Sequence, residues 1–165
     1  MREALLSLGS NEGDRMEMLS QAVEMLSDCC EIAAESPVYE TEPWGITDQP
    51  RFFNMCLAVR TELKADELLE KLNEIEAMLG RLRKQRWGQR TIDIDIIFYG
   101  NAVINSVRLT IPHKYMQERA FVLVPLNDIA PDFVHPVLNK TVSELLNELP
   151  KEKMTCQGYL PKQMK

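Results

Sequence analysis

Residues 81–95 read Arg-Leu-Arg-Lys-Gln-Arg-Trp-Gly-Gln-Arg-Thr-Ile-Asp-Ile-Asp. Arg81, Arg83, Lys84 and Arg86 come first, in what should be a loop. Trp87, Gly88 and Gln89 add an aromatic face and a flexible joint, and Arg90 adds another guanidinium. The apolar run Ile92, Ile94, Ile96, Ile97 and Phe98 then carries Asp93 and Asp95, and such a run is a strand signal. Residues two apart on a strand share a face, about 6.6 Å apart. Asp93 and Asp95 should therefore project from one side, and Ile92, Ile94 and Ile96 from the other. Two carboxylates so placed could converge on one or two hard cations such as Mg²⁺, which takes a few carboxylates and fills its shell with water and phosphate oxygens. Guanidinium matches phosphate geometry in a bidentate way, so the arginines are natural phosphate clamps. Together the two halves read as a metal–nucleotide site. Taken singly, the acids also suit the solvated face of an amphipathic strand, and the basic residues a solvated loop.

The basic loop stands out because the chain is acidic, with 19 Lys and Arg against 25 Asp and Glu and a formal net charge of −6. That balance argues against a nucleic-acid binder, which is usually basic. A length of 165 residues suits one domain, residues 1–165, with a core large enough to need no staples. Cys29, Cys30, Cys56 and Cys156 fit neither a zinc site nor a Cys-x-x-Cys redox motif. No leader-like segment precedes the first strand, and no apolar run approaches the ~18 residues of a membrane span. The expectation is a cytoplasmic protein with free thiols and no membrane association.

The elements that must position these residues follow from periodicity. Residues 2–8 suggest a strand, followed by a turn cluster from Gly9 to Asp14 that lacks the Gly-Lys-Ser/Thr ending of a P-loop. Asp14 is placed to cap a helix over residues 16–26. Residues 31–39 suggest a second strand, bent or at an edge because Ser36-Pro37 crosses it. A loop over residues 40–51 precedes a third strand over 52–63. Asn54, polar among apolar neighbours, is either an edge or bulge position or an amide that reads a planar ligand. Leu68, Leu69, Leu72, Ile75, Met78 and Leu79 mark a helix over 65–79, stopped by Gly80. The Asp-x-Asp strand comes next, then a hairpin turn at residues 99–102. Residues 108–113 should be extended and 114–118 a helical turn. Residues 120–129 should form a helix broken by Pro125, residues 142–149 a short helix, and residues 151–165 a loosely packed tail. The order strand–helix–strand–strand–helix–strand gives an α+β, ferredoxin-like βαββαβ antiparallel sheet with helices packed on it. The extra C-terminal strands and helices should lie against an edge or end.

The stretch from Arg86 to Ile96 resembles the signature of the 6-hydroxymethyl-7,8-dihydropterin pyrophosphokinase family of folate biosynthesis. The resemblance runs in order along most of the chain. It takes in Leu8-Gly9-Ser10-Asn11, Tyr39-x-Thr41, Pro43-x-Gly45, Asp48-Gln49-Pro50-x-Phe52-x-Asn54, residues 108–113, Arg119-x-Phe121, Pro125-Leu126 and Ile129-Ala130-Pro131. It implies transfer of pyrophosphate from ATP to the pterin hydroxymethyl group, with two Mg²⁺ ions on Asp93 and Asp95. It implies catalytic roles for Arg81, Arg83 and Asp95, and nucleotide contacts for Asn73, Glu76, Arg90, Arg108, Thr110, His113 and Arg119. It gives the pterin pocket to Thr41, Pro43, Trp44, Gly45, Phe52, Asn54, Trp87 and Phe121. Its partners are small molecules, and a monomer is expected. The chain departs from the family pattern at Trp44, Gln89 and Lys114. An ordinary γ-phosphoryl kinase would release ADP instead of AMP, and a non-enzymatic ferredoxin-like ligand-binding module would release neither.

Overall fold

The structure, a computed structural model, describes residues 1–41, 50–80 and 92–161. The first half alternates as the hydrophobic pattern dictates: β1 (Arg2–Ser10), α1 (Arg15–Leu26), β2 (Glu31–Glu35), β3 (Val38–Thr41), β4 (Phe52–Thr61), α2 (Ala65–Gly80) and β5 (Asp93–Tyr99). Ser36-Pro37 splits the expected second strand into β2 and β3, both paired with β4. The central sheet runs β5–β1–β4–β3, antiparallel throughout, with β2 also on β4. This is the ferredoxin-like order. Asp14 caps α1 as its spacing suggests, its carboxylate accepting from Glu17 N at 3.1 Å.

Both faces of the sheet are covered. Residues 4–10 of β1 are all buried, as are residues 53–59 of β4, so these strands lack the in–out alternation of a sheet with one wet face. On one face Leu6, Leu8, Met55, Leu57, Ile94 and Ile96 pack with Leu19, Leu26, Leu68 and Leu72 of α1 and α2. On the other, Leu5, Cys56, Ala58, Ile97 and Phe98 meet α3 (Ala120–Ile129) and α4 (Val142–Asn147) through Val122, Leu123, Leu126, Val142 and Leu145. The C-terminal helices therefore form a third layer, not an edge or end packing. The apolar residues on that second face demand it.

Several local expectations shift. The helix over 120–129 is continuous despite Pro125. The carbonyl that Pro125 leaves without a helical N–H belongs to Phe121, in the first turn, and burial of Val122, Leu123, Pro125 and Leu126 holds the segment helical. After the turn at residues 99–102, β6 (Ile104–Asn105) pairs forward with β7 (Thr110–Ile111) instead of folding back on β5. Part of the expected loose tail forms β8 (Thr155–Gly158), which extends the sheet beyond β3. Residues 162–165 lie outside the described residues. No described helix is long and apolar enough to cross a membrane.

Leu123 is fully buried between α3 and the sheet. Leu123→Ala should lower the free energy of unfolding by about 2–5 kcal/mol in a urea titration. Val107→Ala, at a side chain exposed to solvent, should change it by less than about 0.5 kcal/mol.

Candidate active site

One row across the sheet organises the site. In the strand register Tyr39 faces Asn54, Asn54 faces Gly9, and Gly9 faces Asp93. Directly opposed residues share a face, so Asn54, Gly9 and Asp93 all lie on the α3 side. The sequence placed Gly9 in a turn, but it is a strand residue paired on both sides. A Cβ on Gly9 would sit 2.6 Å from Asn54 Oδ1. The missing side chain is the space that the Asn54 carboxamide uses. Asn54 Nδ2 donates to Thr41 Oγ1 at 2.5 Å, and both residues are buried. One amide N–H and the amide oxygen remain as a donor–acceptor edge.

Asp93 and Asp95 project from β5 as the two-residue period requires, with Ile94 and Ile96 turned into the α1–α2 core. Between Leu5 and Leu6 the β1–β5 register shifts: Leu5 faces Phe98 and Leu6 faces Ile96, leaving Ile97 as the extra residue of a bulge. The Ile97 carbonyl accepts from His113 N at 3.0 Å. That bond fastens the segment after β7 to the site strand, and His113 Nε2 comes within 3.9 Å of Asp95 Oδ2. His113 Nδ1 accepts from Tyr115 N at 3.4 Å, so the proton of the neutral ring belongs on Nε2, towards Asp95. Burial, then the nearby Arg119 charge, pulls the imidazole below its ordinary pKa, against the opposing pull of Asp93.

Glu76 completes the anionic cluster from α2. Its carboxylate accepts from Ile94 N at 2.7 Å. Burial above all, and then Asp93 and Asp95 beside it, push its pKa up to about 7, although the Ile94 hydrogen bond works the other way. Three carboxylates crowded at the end of one strand repel, and a divalent cation would relieve them. Among the described residues no group of three or more His, Cys, Asp and Glu is disposed to hold a metal by itself. Asp93 and Asp95 offer hard carboxylate oxygens, which suit a hydrated Mg²⁺ that shares phosphate oxygens.

Beside the acids lies a cavity of about 390 Å³, with Asp95, Arg108, Thr110, His113 and Arg119 in its walls. Leu69, Ile94, Ile96 and Leu109 give it an apolar side, suited to a flat base. Arg108 is held at its rim by Glu70, 3.5 Å away. Asn73 and Glu76 do not line this cavity. Asn73 is exposed four residues after the lining Leu69, on the side of α2 that carries Glu76. Phe121 stands in the first turn of α3, with the Arg119 guanidinium 5.7 Å from its ring centre. Phe52 opens β4 opposite Thr41.

Pro43, Trp44, Gly45, Arg81, Arg83, Trp87 and Arg90 lie outside the described residues, in the segments 42–49 and 81–91. The structure does show how the flanks of the first segment are fixed. Asn11 Nδ2 donates to Pro50 O at 3.2 Å, and Arg15 donates to Arg51 O at 2.7 Å while pairing with Glu40. Sequence reasoning missed Gly9 and Tyr115 as site residues, and took Lys114 only as a departure from the family pattern. Gly9 carried a signal, since a glycine next to a strand often marks a close approach. Lys114 and Tyr115 line the cavity only because the bulge at Ile97 draws their segment in.

A ferredoxin-like sheet with paired carboxylates beside a basic cavity, and a buried amide on the same face, suits chemistry on a small phosphorylated molecule. A family model described as 7,8-dihydro-6-hydroxymethylpterin-pyrophosphokinase (HPPK) matches residues 5–131. The chain is 49% identical over 151 residues to the 2-amino-4-hydroxy-6-hydroxymethyldihydropteridine pyrophosphokinase of Methylorubrum extorquens, covering 90% of this chain and 94% of that protein. It is 38% identical over 156 residues to the enzyme of the same name from Aquifex aeolicus, covering 94% and 98%. The crystal structure of wild-type Plasmodium falciparum HPPK-DHPS with SDX-DHP shares the fold, with a TM-score of 0.74 at 20% identity over 90% of this chain and 43% of that one. The chain belongs to the 7,8-dihydro-6-hydroxymethylpterin-pyrophosphokinase family and is a pyrophosphokinase.

Two outcomes follow from the geometry. Gly9→Ala should displace the Asn54 amide and raise the KM for the heterocyclic substrate about tenfold or more, with nucleotide affinity unchanged; steady-state kinetics with calorimetry for the nucleotide would read the split. For Glu76 the folded pKa, about 7, lies above the usual carboxylate value. Its contribution to stability is therefore full below the unfolded pKa of about 4.5 and is lost as pH rises through about 7. In metal-free buffer the stability of Glu76→Gln relative to the parent should grow across that window and level off above it. Denaturant titrations over pH would check this, and added Mg²⁺ should shrink the difference.

Proposed function

We propose that this enzyme transfers the pyrophosphoryl group of ATP to the hydroxymethyl group of 6-hydroxymethyl-7,8-dihydropterin, giving AMP and the pterin diphosphate for folate biosynthesis. One observation carries the assignment of subsites. The row Asn54–Gly9–Asp93 puts an amide edge and the paired carboxylates on one face of the sheet, and Asp95 in turn opens on the cavity of Arg108, His113 and Arg119. A flat substrate read by Asn54 would thus hold its side chain towards the acids, with the nucleotide on their other side.

In this reading Phe52 and Phe121 sandwich the pterin, and Thr41 and Asn54 read its edge. Pro43, Trp44, Gly45 and Trp87 close over it. Asn73, Glu76, Arg90, Arg108, Thr110, His113 and Arg119 hold ATP. Asp93 and Asp95 would hold two Mg²⁺ ions, which when bound neutralise charge on the phosphate oxygens on both sides of the β-phosphorus. Arg81 and Arg83 clamp the triphosphate and steady the charge that shifts to the leaving AMP. The pterin hydroxyl attacks the β-phosphorus as the bond from that phosphorus to the AMP oxygen breaks, and Asp95 is the candidate to take the hydroxyl proton. Neutral His113 donates from Nε2 to a phosphate oxygen and adds no further charge. Residues 1–165 act as a single domain, monomeric and cytoplasmic.

With ATP, Mg²⁺ and the pterin, chromatography should show AMP and pterin diphosphate in equal amounts; ADP would instead mark a γ-phosphoryl kinase. Asp95→Ala should lower turnover at least about 10³-fold with the fold intact by circular dichroism. Near-parental activity in that variant would remove the metal assignment. Arg83→Ala should lower kcat by about 10²-fold with nucleotide affinity little changed, and a loss confined to affinity would overturn its transition-state role.

A further inference from the structure

A second cavity, of about 430 Å³, lies on the other side of β7 and belongs to none of the roles above. It opens between the β6–β7 pair and the segment that carries His135. Thr110, His113 and Lys114 form a wall common to this cavity and the nucleotide cavity.

Its chemistry is one-sided. Ile104, Ile111 and Pro112 provide apolar walls. At its rim Val103, Val137 and Leu138 remain 59%, 55% and 39% exposed, three of the large apolar side chains that the described residues leave in water. Apolar side chains gathered around one concavity mark a binding surface more than scattered ones do. In a chain with net charge −6, the described residues that line the cavity include no Asp or Glu, and Lys114 is one of them.

His135 supplies the point of recognition. The residue is only 5% exposed. Its Nδ1 accepts from Val137 N at 3.1 Å and Leu138 N at 3.0 Å, which places the ring proton on Nε2. Nε2 makes no hydrogen bond among the described residues, and the ring is part of the cavity wall. A largely buried ring thus places an N–H donor in the wall of an apolar groove, and a donor so placed gains most from an acceptor that brings its own charge.

We propose that this groove is a second small-molecule site, which takes a ligand with an apolar body and one anionic head, of the arylalkyl carboxylate kind. The carboxylate accepts from His135 Nε2–H and pairs with Lys114, while the ring covers Val103, Val137 and Leu138.

The probe is 3-phenylpropionate, with 3-phenylpropionamide as its neutral match, titrated into the full-length protein and followed by amide and side-chain resonances in ¹H–¹⁵N and ¹H–¹³C spectra. Saturable shifts at Val103, His135, Val137 and Leu138 are expected, with the amide about fivefold weaker or more. Val137→Glu, at an exposed rim position, should weaken the carboxylate about tenfold or more by placing like charge against it. Lys114→Gln should bring the carboxylate down to the level of the amide. Absence of saturable shifts, equal binding of the two probes, or indifference to both variants overturns the proposal. So does complete displacement of the probe by ATP with shifts confined to Asp95 and Arg108, which would put it in the nucleotide cavity.

Discussion

The site depends on β1 being paired on both sides. Its partners β4 and β5 are distant in sequence, and each brings one kind of chemistry: β4 the Asn54 amide, β5 the Asp93 and Asp95 carboxylates. The strand between them fixes their separation, because hydrogen-bonded neighbours in a sheet can only be about 4.8 Å apart. Gly9 occupies the crossing point, and its lack of a side chain keeps the row open. The burial of β1 on both faces makes this register hard to slip, since a shift of one residue would send Leu6 and Leu8 to the opposite layer.

The second constraint is electrostatic. Glu76, Asp93 and Asp95 are held together by backbone geometry rather than by mutual attraction, and burial first, then the two neighbouring charges, raise the pKa of Glu76. The Ile94 N–H takes part of that load. Arg108, His113 and Arg119 line the same cavity as Asp95. His113 meets Asp95 only at 3.9 Å, and burial together with Arg119 favours its neutral form. The site therefore combines acids on the strand with basic side chains in the adjoining cavity wall. Such an arrangement is suited to an anion that carries its own cations.

The third layer matters for function as well as stability. α3 carries Phe121 in its first turn, and the Tyr39 hydroxyl donates to Asp128 of the same helix. β3, which holds Thr41, is thereby tied to α3. Phe52 on β4 and Phe121 on α3 sit on separate layers that this contact joins.

Much of this was legible in the chain itself. The two-residue period put Asp93 and Asp95 on one face, the three-to-four-residue stripe gave α2, Asp14 marked the start of α1, and Ser36-Pro37 marked the break between β2 and β3. These are local consequences of backbone geometry, so a linear sequence suffices to state them. The family resemblance extended that reading to residues such as Arg108 and His113, whose chemistry no spacing reveals. The tertiary structure decided what depends on non-local pairing. It moved Gly9 from a turn into the centre of a strand, and it kept α3 whole across Pro125 because burial outweighed one missing hydrogen bond. It laid α3 and α4 over the second face, where Cys56, Ala58 and Ile97 required cover. It also turned the bulge at Ile97 into the anchor for His113, because which carbonyl a bulge frees is set by the partner strand and is written nowhere in the strand's own residues.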